Sequence, residues 1–118
     1  MPASTEPSGD QPAVRLALTT APTEAVAEEI GLALVEEGLV ACVNVVPGLT
    51  SIYRWRGAVE REREVLLILK TTAPSVEPLR ARLVELHPYE VPELVALDVA
   101  DGHGPYLDWV RSEVAQGG

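Results

Sequence analysis

Apolar residues recur at helical spacing in two stretches of the chain, each of which begins after a hydroxyl residue. In the first stretch, after Thr23, the apolar positions are Val26, Ile30 and Leu34. In the second stretch, after Ser75, they are Val76, Leu79, Leu83 and Leu86. Residues spaced by three or four share one helix face, so each stretch predicts an amphipathic helix. Thr23 and Ser75 are suited to cap the helix starts, while Gly38 and the pair His87 and Pro88 mark the ends.

The tetrapeptide Thr-Thr-Ala-Pro precedes both predicted helices and indicates an internal duplication. It occupies residues 19–22 and again residues 71–74. Strand-like apolar segments flank each helix, at residues 16–18, 40–46, 65–70 and 94–99. Each half therefore has the order strand, helix, strand.

The segment between the two halves predicts an additional strand. Pro47 and Gly48 favour a turn into residues 50–55, which are rich in β-branched and aromatic side chains. The polar residues 56–63 then predict a turn that leads back into the next strand. A short last helix is expected over residues 105–114, with Pro105 at its first position.

Two split β-α-β units predict an α+β, ferredoxin-like sandwich, with both main helices on one face of an antiparallel sheet. The C-terminal helix adds to this duplicated unit. Residues 13–115 are expected to form a single domain. Residues 1–12 are rich in Pro, Ser, Thr and Glu and predict a disordered tail, and residues 116–118 predict a flexible end.

An open sheet of this kind leaves two strand edges unpaired. Residues 40–46 and 52–55 carry few charges that would discourage pairing with another chain. Tyr53 and Trp55 would be unusual on the surface of a monomer but are typical of an interface core. We therefore expect the chain to associate with copies of itself.

Composition narrows the possible partners. Eighteen acidic residues against nine basic ones give a net charge of −9, which disfavours nucleic acid and favours cations. The longest apolar run, residues 65–69, is far shorter than the roughly 20 residues of a membrane-spanning helix, so no membrane partner is expected. Cys42 is the only cysteine and cannot form an intrachain disulfide, which favours a cytoplasmic location.

The heptapeptide His-Pro-Tyr-Glu-Val-Pro-Glu, at residues 87–93, is the segment richest in functional groups. Its prolines restrict the backbone, so we expect the helix to end at His87 and the chain to stay extended through Val91. His87 is suited either to cap the helix or to bind a ligand. Tyr89 is expected to bond a backbone carbonyl, and Glu90 to pair with Lys70 or an arginine.

Each of the remaining candidate residues has both a structural and a functional interpretation. Cys42 lies within an apolar strand. It is expected to be a small buried hydrophobe or, if it points into an intersubunit cleft, a metal ligand. Lys70, the only lysine, forms a surface ion pair or contacts an anion in a cleft. His103 is expected on the surface, and the charged residues 61–64 are expected to form a solvated hairpin face.

No arrangement of nucleophile, base and orienting acid is evident, and no glycine-rich phosphate loop or metal-binding repeat occurs. We therefore expect neither an enzyme nor an organic cofactor.

Five segments in order resemble the CutA family of divalent-cation tolerance proteins: ACVNV at 41–45, SIYRWRG at 51–57, LKTT at 69–72, HPYEVPE at 87–93 and YLDWV at 106–110. The resemblance implies a ferredoxin-like subunit in a cytoplasmic homotrimer associated with copper(II) or other divalent cations. Some family members place a cysteine and a second histidine where this chain has Thr19 and Leu86. His87 is thus the remaining histidine of that set.

Three functional hypotheses follow. In the first, a homotrimer binds divalent cations in clefts between subunits, with His87, Glu90 and Cys42 as metal ligands. Residues suited to line those clefts are Tyr53, Trp55, Lys70, Tyr89 and Glu93. In the second, a trimeric sensor binds a small anionic metabolite in the same clefts, where Lys70 and the helix N-termini favour anions. In the third, the trimer is an interaction scaffold without a ligand.

Overall fold

The computed structural model describes residues 11–115. Residues 1–10 of the expected tail and the expected flexible end at 116–118 lie outside this described part. In chain order the elements are β1 (Val14–Ala21), α1 (Glu24–Glu36), β2 (Cys42–Trp55), β3 (Ala58–Thr72), a 3-10 turn (Ala73–Ser75), α2 (Val76–Leu86), β4 (Val95–Asp98) and α3 (Gly104–Glu113). None of the helices in this part is both long and apolar enough to cross a bilayer.

The four strands form one antiparallel sheet in the order β2-β3-β1-β4. Alternate residues of β1 and β3 point to one face, where they pack against α1 and α2. The buried apolar core on that face comprises Ala17, Ala21, Ala27, Ile30, Leu34, Leu39, Val40, Val65, Leu67, Leu69, Leu79 and Leu83. The predicted duplicated α+β sandwich is confirmed.

The start of α1 follows the prediction, whereas the start of α2 differs. The Thr23 hydroxyl accepts a hydrogen bond from the Val26 amide at 3.1 Å, as a helix N-cap does. Ser75 is buried at the end of the 3-10 turn and makes no capping bond with its side chain. Gly38, with φ of +75°, closes α1 in the left-handed conformation that glycine adopts most easily.

The prediction of two turns around a separate middle strand is wrong. Residues 50–55 continue β2, because Pro47 and Gly48 form a bulge where the register with β3 shifts between Val46 and Leu49. Gly48, with φ of +84°, supplies the left-handed conformation that such bulges use. The chain reverses at Arg56 and Gly57 alone, and β3 begins at Ala58. The expected turn over residues 56–63 is therefore mostly strand.

As a result, β2 and β3 form a long two-stranded ribbon that extends beyond the helices. The molecule measures 56 × 24 × 23 Å, and its radius of gyration is 15.8 Å. A compact domain of this length would have a radius of about 13 Å. We call residues 49–64 the ribbon and the helix-covered remainder the body.

Candidate functional site: an acidic and aromatic cleft

A cleft of about 840 Å³ lies between the ribbon and the segment after α2. Strand residues line one side, and the segment from Pro88 to Glu93 lines the other. The lining residues are Thr20, Ser51, Ile52, Tyr53, Trp55, Glu60, Glu62, Glu64, Pro88, Tyr89, Glu90, Val91 and Glu93. Five of them are glutamates, and none of the described lining residues is basic.

Strand alternation and the bulge together determine which ribbon side chains face the cleft. Glu60, Glu62 and Glu64 are spaced by two residues on β3 and so share one face. Across the ladder, Glu62 opposes Ser51 and Glu60 opposes Tyr53, while Trp55 opposes Ala58. Because the bulge adds one residue to β2, odd-numbered residues face this side beyond it, whereas even-numbered ones do so before it.

His87 ends α2 as predicted and fixes the start of the second wall. The ring Nε2 lies 2.7 Å from the carbonyl oxygen of Thr20, which can only accept, so Nε2 carries the hydrogen. The Tyr89 amide donates to Nδ1 at 3.1 Å. Both ring nitrogens of this buried histidine are therefore engaged. The chain bends over residues 88–91 and does not stay extended as expected.

Two phenols bind carboxylates of the ribbon. Tyr89 donates to Glu64 Oε2 at 2.6 Å, and Tyr53 donates to Glu62 Oε1. The expectation that Tyr89 bonds a backbone carbonyl is wrong. Burial and the bond to Glu64 raise the pKa of Tyr89 above its ordinary value. The bond to Glu62 raises the pKa of Tyr53 to about 12.

Glu90 pairs with an arginine, which was one of its two expected partners. Arg56 at the ribbon turn approaches Glu90 Oε1 with Nη2 at 3.3 Å. The same guanidinium lies over the Trp55 ring, 5.3 Å from its centroid. The ribbon turn and the segment after α2 are therefore linked across the mouth of the cleft. Both charged groups are largely exposed, so the pair adds little to folding stability.

Cys42 and Lys70 lie away from the cleft, at the opposite end of the β2-β3 ladder. Lys70 Nζ is 2.7 Å from Asn44 Oδ1 and 4.0 Å from Cys42 Sγ, and it lies over the Tyr106 ring at 5.7 Å. The expected pairing of Lys70 with Glu90 is thus replaced by contacts with residues of the adjacent strand β2 and with Tyr106 of α3.

The proposed metal ligands are not brought together within one chain. Lys70 opposes Cys42 on one side and lies four residues along β3 from Leu66, which opposes Thr20. The offset along the strands alone is therefore about 13 Å between Cys42 and Thr20, whose carbonyl His87 contacts. Among residues 11–115 no three His, Cys, Asp or Glu side chains are grouped so that they could hold a metal ion.

Sequence reasoning identified residues of both walls of the cleft but missed the ribbon glutamates. Of the residues predicted to line clefts between subunits, Tyr53, Trp55, Tyr89 and Glu93 line this cleft within one chain, and Lys70 does not. Glu90, a predicted metal ligand, also lines it. The ribbon glutamates were assigned to a solvated hairpin face, yet Glu64 is only 8% exposed and binds a phenol. The signal was available, because acidic residues at every second position place their carboxylates on one face of a strand.

This arrangement favours positive charge. Several carboxylates facing a partly enclosed space create a negative potential that concentrates cations. Aromatic faces, here those of Tyr53, Trp55 and Tyr89, add attraction for cations in contact with them.

Comparison with known proteins agrees with the fold. The family model described as CutA1 divalent ion tolerance protein matches residues 15–113. The chain belongs to the CutA family of divalent-cation tolerance proteins.

Individual CutA proteins are similar over most of the chain. The divalent-cation tolerance protein CutA of Thermus thermophilus is 57% identical over 94 residues, which cover 80% of this chain and 91% of that protein. Protein CutA of Homo sapiens is 49% identical over 111 residues, 93% of this chain, which spans 62% of the human protein's length.

Solved CutA structures resemble the chain equally well. The structure of Cut A1 from Thermus thermophilus superposes with a TM-score of 0.85 at 53% identity, covering 86% of this chain and 99% of that one. CutA1 from Oryza sativa gives a TM-score of 0.87 at 32% identity, covering 90% of this chain and 97% of that one.

Proposed function

We propose that this CutA protein is a cytoplasmic homotrimer that binds divalent cations and has no enzymatic activity. The observation that carries the proposal is the cleft, whose described lining includes five glutamates and no lysine or arginine. A divalent cation gains more from such a potential than a monovalent one, because the interaction energy scales with charge. The family's name for its members points to the same class of ligand.

The donor set constrains how a metal would be held. Carboxylate oxygens suit magnesium, calcium and manganese, whereas copper(II) prefers imidazole or thiolate ligands. In one chain both nitrogens of His87 are engaged and no three donors are grouped in the described residues. The donors of a single chain therefore fit a hydrated ion in the cleft but not copper coordination. As predicted copper ligands, Glu90 and Cys42 require another protomer to complete the site, and His87 also requires that one of its ring nitrogens exchange its present contact for the metal.

Exposed apolar side chains on both edges of the sheet support self-association. On β2, Ile52 is 66% exposed and Val46 41%; on β4, Val95 is 47% exposed and Leu97 44%. The two edges differ, so pairing β2 of one protomer with β4 of the next is a heterologous contact. Such contacts close into rings when the rotation between protomers permits. A two-fold dimer uses an isologous contact, so the smallest ring built from this heterologous contact is a trimer.

The alternative, a sensor of an anionic metabolite, has less support. The one lysine lies outside the cleft and contacts Asn44. An anion in the cleft would face five carboxylates without a compensating lining cation among the described residues.

One experiment tests both the assembly and the ligand class. Sedimentation velocity on metal-stripped protein is expected to give three chain masses. Calorimetric titration with magnesium, zinc, copper(II) and ATP is expected to give heat for the divalent cations and none for free ATP. The double variant Glu60→Gln/Glu62→Gln should weaken that binding about tenfold or more. Its matched control, Glu28→Gln/Glu36→Gln on the exposed face of α1, should not.

A stable species of one chain mass would refute the trimer. Divalent-cation binding that is equal in the cleft variant and the control would refute the site. Binding of ATP alone would favour the sensor.

A further inference from the structure

The cleft is larger than a metal ion requires. Its volume of about 840 Å³ lies in the range of small-molecule sites, roughly 300–1,000 Å³. The described residues do not group three metal-ligating side chains. The negative charge is instead distributed over two walls, from Glu60 on the ribbon to Glu93 after α2.

Aromatic rings form part of the same lining. Tyr53 and Trp55 lie on the ribbon wall, and Tyr89 lies on the opposite wall. A small, strongly hydrated metal ion gains little from such rings, whereas an alkylammonium or guanidinium group gains from both the ring face and its apolar stem. Trp55 and Tyr53 remain 42% and 38% exposed, so ring surface is available to a ligand.

One organic cation already makes these contacts within the chain. The Arg56 guanidinium lies over Trp55 at 5.3 Å from the ring centroid and contacts the Glu90 carboxylate at 3.3 Å. This internal pair demonstrates that an aromatic face and a carboxylate at the cleft mouth are positioned to hold a nitrogen cation together. Deeper in the cleft, carboxylates and rings have the same combination without a basic partner among the described lining residues.

The ribbon glutamates are spaced to receive several such cations. Alternate residues of a strand lie about 6.6 Å apart, which sets the interval between Glu60, Glu62 and Glu64. Ammonium groups joined by three or four methylenes have a comparable separation. The phenols of Tyr53 and Tyr89 orient two of these carboxylates, each of which retains further lone pairs for a donor.

We propose that the cleft binds a linear organic polycation of the polyamine class, with its ammonium groups on the ribbon glutamates and its methylenes against Trp55 and Tyr53. This inference rests on the proposed use of the cleft as a cation site. It goes further in naming an organic ligand that would compete there with divalent metals.

The test is calorimetric titration of EDTA-treated, dialysed full-length protein with spermidine. Glu62→Gln should weaken binding about tenfold, because it removes a charge-assisted contact. Trp55→Leu should weaken it about threefold to fivefold through loss of the ring face. Glu36→Gln, which removes the same charge from the exposed surface of α1, should leave the affinity within a factor of two. Both cleft side chains are exposed, so the variants are expected to fold, and circular dichroism checks this.

Absence of spermidine binding in the wild-type protein would overturn the inference. An affinity for spermidine that is unchanged by Trp55→Leu would also overturn it, and so would an affinity that Glu62→Gln and Glu36→Gln lower equally. Either result would mean that spermidine binds only through the net negative charge of the protein. Because this titration contains no metal, its outcome is separable from that of the metal titration. Binding of metals without spermidine refutes only this inference, whereas binding of spermidine without metals supports it and refutes only the divalent-cation proposal.

Discussion

Leu67 and Val59 point to the same face of β3, yet Leu67 is fully buried whereas Val59 is 67% exposed. The difference arises from what covers each half of the strand. In the body, α1 and α2 cover that face, and in the ribbon no described helix does. The body therefore provides the apolar burial that stabilises the fold, while the ribbon provides the polar and aromatic surface of the cleft.

The comparison separates folding from recognition along one continuous strand. Residues 65–69 of β3 alternate between buried and half-buried apolar side chains, and residues 60–64 carry the charges. Changes in the body should alter the free energy of unfolding, whereas changes in the ribbon should alter mainly ligand affinity or assembly.

Truncating an apolar side chain to alanine in the body and in the ribbon should give the largest difference in the free energy of unfolding. Leu67→Ala leaves a cavity in the body and is expected to lower the free energy of unfolding by about 2–5 kcal/mol. Val59→Ala on the exposed ribbon should change it by less than about 0.5 kcal/mol. Urea denaturation at matched protein concentration measures both. Equal losses in the two variants would mean that the ribbon is as well covered as the body.

A smaller effect is expected where the two regions meet. Tyr89→Phe removes the phenol that donates to Glu64, a carboxylate at the root of the ribbon that is only 8% exposed. Loss of this partner should cost about 1–2 kcal/mol in urea denaturation. Tyr106→Phe, on the exposed face of α3, is the matched control and should cost less than about 0.5 kcal/mol. An undiminished stability in Tyr89→Phe would indicate that this contact does not join ribbon and body.

The smallest effect on folding should come from the phenol on the ribbon itself. The bond from Tyr53 to Glu62 raises the pKa of Tyr53 from its ordinary value of 10.0 to about 12. The folded state then keeps a proton that the unfolded state releases. The resulting contribution to stability is complete below pH 10 and is lost as the pH rises toward 12.

Phenolate absorbance measures this titration as the difference between the wild-type protein and Tyr53→Phe. In Glu62→Gln the midpoint should fall toward the ordinary tyrosine value, because the carboxylate acceptor is gone. A midpoint near pH 10 in the unmodified protein would argue against the hydrogen bond.

The parts of the fold set by local rules could be predicted from the sequence. The two helices, the Thr23 cap, the left-handed Gly38 and the end of α2 at His87 all depend on neighbouring residues, and each was confirmed. Pro47 and Gly48 were misjudged because a bulge and a turn use the same residue types. Only the pairing of β2 with β3 distinguishes the two, and that pairing is a long-range property.

The site was harder to predict because its contacts join residues that are distant in sequence. His87 contacts the carbonyl of Thr20, 67 residues away, and no periodicity of the chain encodes that contact. Lys70 and Cys42 were placed near the other candidates on chemical grounds, whereas strand register places them at the other end of the ladder. The ribbon glutamates were visible as an alternating pattern, but Glu60 and Glu62 were assigned to a turn and Glu64 to a solvated hairpin face.

One extra residue at Pro47 and Gly48 changes the phase in which side chains alternate along β2. Pairing with β3 continues on both sides of it, from Val46 opposite Leu66 to Leu49 opposite Glu64. Deleting Pro47 or Gly48 would leave one residue opposite Val65, and Tyr53 would still oppose Glu60. The bulge therefore absorbs a one-residue change in the length of β2 locally, and the ribbon side chains that face the cleft stay the same.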